Sequence, residues 1–239
     1  MTKLLYQTDA YLKEFSSVIT SVDAATRVVV LDQSAFYPGG GGQPCDFGTL
    51  EVAGVTYPVE KVKKQGDDVL HFLGGTELLP TPNSAANGTL DWVRRHQLMR
   101  THTALHILCG TVFRDYGAKV TGGDMDPLKG RMDFEFENMR GDLVKAIETA
   151  TNLEVQQGRE IRVNILPRDE AFQIPDLIRT KINLLPEGIM QVRTVEIVGL
   201  DLQADGGTHV MNTSEVGKIK VVDYKSKGAI NKRIYIEIE

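Results

Sequence analysis

The chain has 239 residues, 41% of them hydrophobic and 25% charged, with a formal net charge of -5. This balance supplies apolar surface for one or two globular domains and excludes a globally basic, indiscriminate nucleic-acid surface. No run of about eighteen apolar residues and no leader-like apolar block occurs, so a soluble, cytoplasmic protein is expected, and Cys45 and Cys109 suit reduced thiols better than a disulfide framework.

Through about residue 90 the pattern is strand-like. Short runs at 26–32, 55–62 and 68–73 are separated by Gly, Pro and Asp turns, which predicts a small β-barrel. His71 falls inside the last run and reads as a packing or surface residue rather than a ligand. Phe-Tyr-Pro-Gly-Gly-Gly-Gly-Gln-Pro at 36–44 is not a P-loop, because no Gly-Lys-Ser/Thr follows and Pro44 opposes a helix start. Its glycines either admit a ligand close to the backbone, which makes Gly39, Gly40, Gly41, Gly42 and Gln43 candidate substrate contacts, or form a mobile hairpin tip.

Residues 80–88, Pro-Thr-Pro-Asn-Ser-Ala-Ala-Asn-Gly, have linker composition and divide the chain into 1–88 and 89–239. A short strand at 89–93 precedes a long helix over about 94–115, amphipathic through Leu98, Leu105, Leu108 and Val112. Within it lies Arg-Thr-His-Thr-Ala-Leu-His-Ile-Leu at 100–108. Positions four apart share a helical face, so His102 and His106 aim their imidazoles at one point. Two ligands do not close a metal site, and Asp205 and His209, flanking a Gly-Gly turn, are the candidates to complete it. Cys109 lies about 10.5 Å along the axis from His102, at about 1.5 Å per residue, and reads as a buried small hydrophobe.

Beyond the helix, strands are expected near 118–121, 130–136, 160–166, 190–198, 218–224 and 232–238. A helix is expected over 142–157 and an irregular segment over 167–186. The fold class is therefore α+β: an N-terminal barrel, then a two-layer domain whose mixed, mainly antiparallel sheet packs on the His-bearing helix. Arg131 and Asp133 alternate with apolar residues and share a strand face, either lining a pocket or forming a surface ion pair. From 218 to 233, Lys218, Lys220, Lys225, Lys227, Lys232 and Arg233 face one acid, Asp223, which suits a phosphate-binding patch or a solvated strand edge.

Arg-Thr-His-Thr-Ala-Leu-His, the later Asp-Gly-Gly-Thr-His, Lys-Ser-Lys-Gly at 225–228 and Gly-Gly-Gly-Gln-Pro-x-Asp-x-Gly at 40–48 together resemble the AlaX-type alanyl-tRNA editing proteins. The likeness covers nearly the whole chain. It implies a trans-editing hydrolase that deacylates tRNA(Ala) mischarged with serine or glycine. Neither a membrane nor DNA is expected as a partner. It also implies a zinc ion held by the two helical histidines and a Cys-x-x-x-His pair. Here Asp205 stands in the cysteine position, either as a harder oxygen ligand or behind a three-histidine site. By the same resemblance, Thr121 in Ala-Lys-Val-Thr binds the serine hydroxyl.

An aminoacyl ester is already activated, so its hydrolysis needs a positioned water and a stabilised oxyanion. A metal could supply either, or could anchor the substrate's amino group. Backbone N–H groups around Gly206, Gly207 and Thr208 are candidate oxyanion or ribose contacts. Lys218, Lys220, Lys225 and Lys227 are candidate phosphate contacts. Competing readings are a metal-dependent hydrolase of a small ester or amide, and a tRNA-binding module without turnover.

Overall fold

The computed structural model describes residues 1–179 and 188–239. They form two compact units, Met1–His96 and Gln97–Glu239.

In the first unit the strands are β1 (Lys3–Leu4), β2 (Glu14–Asp23), β3 (Val28–Leu31), β4 (Gln33–Ser34), β5 (Gly48–Val52), β6 (Val55–Gln65), β7 (Asp68–Leu73) and β8 (Ala85–Leu90). Six of them close an antiparallel barrel in the order β2-β3-β7-β6-β5-β8, which leaves no edge in that sheet. Inward positions alternate as strand geometry requires: Val69, His71 and Leu73 on β7 are buried with Ile19, Val29, Leu31, Phe36 and Leu50. Part of the expected linker is strand, since residues 85–88 belong to β8 and seal the barrel between β2 and β5. Their small side chains are a packing requirement. A Cβ on Gly88 would lie 2.3 Å from the Phe15 ring.

The expected strand at 89–93 stops at Leu90, because Asp91 caps a helix. Its carboxylate accepts the Arg94 N–H at 3.1 Å, and α1 runs over Trp92–Tyr116. The division between the two compact units falls within α1, after His96.

The second unit continues with β9 (Val120–Asp126), β10 (Lys129–Glu135), α2 (Gly141–Gln156), β11 (Ile161–Pro167), α3 (Arg168–Ala171), β12 (Gln191–Ile197), β13 (Asp201–Ala204), β14 (Ile219–Ser226) and β15 (Asn231–Ile238). Two antiparallel sheets result, β14-β15-β10-β9 and β11-β12-β13. The irregular segment expected at 167–186 contains the short helix α3 near its start, and its residues 180–187 lie outside the described residues.

From Leu98 to Val112, α1 is buried on nearly every side, with only Arg100 partly exposed, rather than amphipathic. The reason is that both sheets meet it. Leu105 packs where a Cβ on Gly130 of β10 would stand 3.1 Å away, while Gly110 faces Asp201 and Leu200 at the start of β13. α2 covers β14, where Asn152 and Glu148 bond the backbone of Ile219 and Val221. Glu154, buried near the end of α2, binds Arg114 and Arg159, which neutralises its charge.

Candidate metal centre

One turn of α1 presents His102 and His106, and the chain leaving β13 presents Asp205 and His209. One donor atom from each of the four lies within 4.8 Å of all the others. The imidazole centroids are 4.3 Å apart for His102 and His209, 4.7 Å for His106 and His209, and 5.0 Å for His102 and His106. All three histidines are buried. A tetrahedral zinc site with bonds of about 2.0–2.2 Å needs donors about 3.3 Å apart, so small side-chain shifts suffice.

Asp205 is at the centre of the contacts. Its Oδ2 accepts the Gly207 N–H at 2.7 Å and faces His209 Nε2 at 3.0 Å, and its Oδ1 lies 3.5 Å from His102 Nε2. The Gly207 N–H, one of the candidate oxyanion or ribose contacts, is directed at the Asp205 carboxylate. Gly206 stays exposed, and Thr208 is buried. Arg193, also buried, donates from Nη1 to the Asp205 carbonyl at 3.0 Å and keeps that loop against β12.

The second ring nitrogens are held as well. Thr103 Oγ1 lies 3.2 Å from His209 Nδ1 and accepts the Val210 N–H. His106 Nδ1 lies 3.3 Å from Asp201 Oδ2. Burial, only partly offset by Asp205, pushes His102 well below its ordinary value and His209 down to about 4, so both rings are neutral near pH 7 and can donate lone pairs. Burial also opposes the charge on His106, but the Asp201 hydrogen bond and Asp205 outweigh it and raise that ring. Asp205 is desolvated too, yet the surrounding imidazoles hold its carboxyl well below the usual carboxylate range. Three imidazoles and an ionised carboxylate converging in a buried pocket fit a divalent cation such as Zn2+.

Other residues singled out in the sequence lie elsewhere. Gly130 faces α1, so Arg131 and Asp133 point to the opposite face of the sheet, where Asp133 takes a bidentate pair from Arg233 at 2.6 and 2.7 Å. Arg131 reaches Asp124 at 3.3 Å. Thr121 is exposed, and its hydroxyl donates to Asn231 Oδ1 at 2.8 Å, so it does not join the imidazole cluster. In the first unit, Gly40 and Gln43 exchange backbone hydrogen bonds around Gly41 and Gly42, whose φ values of 57° and 88° make a tight hairpin turn. Lys218 and Lys220 pair with Glu239, Lys225 with Asp223 and Arg233 with Asp133, so among the described residues the basic run meets Glu239 and Asp133 as well as Asp223.

Sequence reasoning missed Asp201, Thr103 and Arg193. The first was within reach: Asp201, Gln203 and Asp205 alternate and so share one strand face.

Residues 192–235 match the threonyl and alanyl tRNA synthetase second additional domain, and residues 4–94 match the class II (A) tRNA synthetases. The alanyl-tRNA editing protein AlaX-M of Saccharolobus solfataricus is 38% identical over 241 residues, which cover all of both chains. The chain belongs to the AlaX-M family. The Methanosarcina acetivorans AlaX-M protein is 34% identical over all of this chain and 99% of its own length. The alanine–tRNA ligase of Ignicoccus hospitalis matches 92% of this AlaX-M family member at 35% identity, but over only 24% of the ligase. Among the described residues no helix is long and apolar enough to cross a membrane.

Proposed function

We propose that this AlaX-M family member is an aminoacyl-tRNA deacylase that hydrolyses Ser-tRNA(Ala), and secondarily Gly-tRNA(Ala), while sparing Ala-tRNA(Ala). The observation that carries the reading is the convergence of His102, His106, Asp205 and His209, with their donor atoms within 4.8 Å, in a chain of this family.

These four residues would hold Zn2+. When bound, the ion supplies a Lewis acid that can lower the pKa of water or polarise a carbonyl. The chain's own groups do the rest. Asp205, fixed by Gly207 and Arg193, keeps the loop and its carboxylate in place. The backbone around Gly206, Gly207 and Thr208 is the candidate partner for the ester oxygens, and on the first unit the hairpin from Gly39 to Gln43 is a candidate substrate contact. Phosphates of the acceptor arm would fall near Lys218, Lys220, Lys225 and Lys227, and would replace the pairs of Lys218 and Lys220 with Glu239 and of Lys225 with Asp223. Arg131 and Asp133 belong to the same sheet and are assigned to substrate binding.

Serine exceeds alanine by a hydroxyl, so exclusion by size cannot protect the cognate ester. A polar group that pairs with that hydroxyl, and is left unpaired by alanine, can discriminate. Thr121 is the assigned group, and it would exchange its bond to Asn231 for one to the substrate.

The test compares hydrolysis of a small serine ester with that of serine on intact tRNA(Ala). Efficient turnover only on the tRNA supports the assignment; equal turnover of the small ester overturns it in favour of a general esterase.

A further inference from the structure

A second buried carboxylate stands on the Nδ1 side of His106. Asp201 opens β13, is 4% exposed, and holds Oδ2 3.3 Å from His106 Nδ1. A carboxylate can only accept, so in the neutral ring Nδ1 carries the proton and Nε2 keeps the lone pair. Asp201 is itself held. Gln203, two residues on and therefore on the same strand face, donates from Nε2 to Oδ2 at 2.6 Å. Arg179 donates from Nε to Oδ1 at 3.4 Å, its guanidinium lying 3.8 Å from the centroid of the Phe113 ring.

The approach of β13 to α1 depends on one missing side chain. Gly110 lies four residues after His106 on the same helical face. A Cβ there would stand 2.9 Å from Asp201 Cβ and 3.0 Å from Leu200 Cγ, closer than side-chain carbons pack. Gly110 has an ordinary helical conformation, without the positive φ that would otherwise explain a glycine. In a helix interior glycine is less stable than alanine, so this position gives up helix stability in exchange for the close approach.

We propose that Asp201 is a positioning residue that fixes His106 in its Nδ1–H tautomer and ring orientation, presenting Nε2 to the donor cluster, and that Gly110 is the clearance that lets it do so. The proposal rests on the reading of His102, His106, Asp205 and His209 as a metal site. A histidine without such a partner distributes over two tautomers and several rotamers, and ordering it must then be supplied by the metal bond itself. Thr103 Oγ1 holds the His209 ring from its Nδ1 side at 3.2 Å, but as a hydroxyl it can donate or accept and does not by itself set the tautomer.

The experiment has two readouts on the full chain. Long-range proton–nitrogen NMR of the metal-free protein at alkaline pH reads the His106 tautomer. Chelator competition with Zn2+, and the visible spectrum with Co2+, read the assembled site. The wild type is expected to carry the proton on His106 Nδ1. Asp201→Leu should mix the tautomers, weaken Zn2+ binding by roughly 10–100-fold and alter the Co2+ bands. Asp201→Asn keeps the side-chain volume but replaces one accepting oxygen by an N–H that His106 or Arg179 must face, so it should disturb the tautomer as Asp201→Leu does while thermal unfolding stays close to wild type, which separates positioning from misfolding. Gly110→Ala, with Asp201 intact, should reproduce the loss. A wild-type His106 protonated on Nε2, or an Asp201→Leu variant with unchanged tautomer and affinity, overturns the proposal. A wild type that binds neither ion sinks the metal reading, while the tautomer result alone still decides the role of Asp201.

Discussion

The guanidinium of Arg95 grips the carboxylate of Asp46 through Nε and Nη2 at 2.5–3.1 Å, with both side chains almost wholly excluded from solvent. Arg95 also donates to the carbonyls of Ala10 and Ala35, and Asp46 accepts the Tyr37 N–H that closes the Gly-rich hairpin. One buried pair thus ties the start of α1 to the barrel wall within the first unit.

Removing one member leaves the other charged and unpaired, which costs about 3–5 kcal/mol. Asp46→Ala should therefore lower the unfolding free energy of the barrel unit by that amount. Urea titration followed by the fluorescence of Trp92, the single tryptophan, measures it. A drop below about 1 kcal/mol, the range of an exposed pair, would contradict the account.

His71 faces the barrel interior. Its Nδ1 lies 3.3 Å from the Val29 carbonyl and its Nε2 2.8 Å from the Ser34 hydroxyl, so Nδ1 donates and Nε2 accepts. Burial, partly offset by the backbone of Val29 and Val69, pushes the ring down to about 4 from its ordinary 6.5. As pH falls, the unfolded chain takes up this proton first. Stability from His71 is therefore complete above about pH 6.5 and declines by about 3 kcal/mol as pH falls to about 4. His71→Asn should flatten that window in pH-dependent urea titrations. An equal slope in the variant would show that other groups carry it.

Much of the architecture was legible because its signals are local. Alternation and turn residues gave the barrel, and the His-x-x-x-His spacing gave one half of the donor cluster. The misreadings share a cause. The composition of residues 85–88 looks like a linker because Gly88 must clear Phe15, and α1 looks amphipathic until a second sheet covers its other side. Thr103 carries no motif of its own, and the alternation of Asp201 with Gln203 and Asp205 marks only a shared strand face. Their partners, His209 and His106, emerge only when the chain around β13 meets α1, and the glycine at that meeting, Gly110, reads in sequence as a minor helix defect.

Asp205 in place of a thiolate makes the donor set harder. Asp205→Cys should raise Zn2+ affinity roughly tenfold or more, and Asp205→Ala should lower it, both measured by chelator competition. A cysteine variant that binds Zn2+ more weakly than the wild type would mean that Asp205 acts from behind the three histidines.

The lysines of β14 and the following turn predict salt-sensitive tRNA binding. Replacing Lys225 and Lys227 by alanine should weaken binding and reduce the slope of log affinity against log salt by about 1 for each phosphate that is no longer neutralised. An unchanged slope would move the phosphate path elsewhere on the protein.

The most direct measurement is deacylation of Ser-tRNA(Ala) beside Ala-tRNA(Ala) by Zn2+-loaded protein, with His102→Ala as control. The account predicts rapid release of serine, retention of alanine, and abolished serine release in the control. Serine that stays attached to bound tRNA, or release undiminished by His102→Ala, would contradict it.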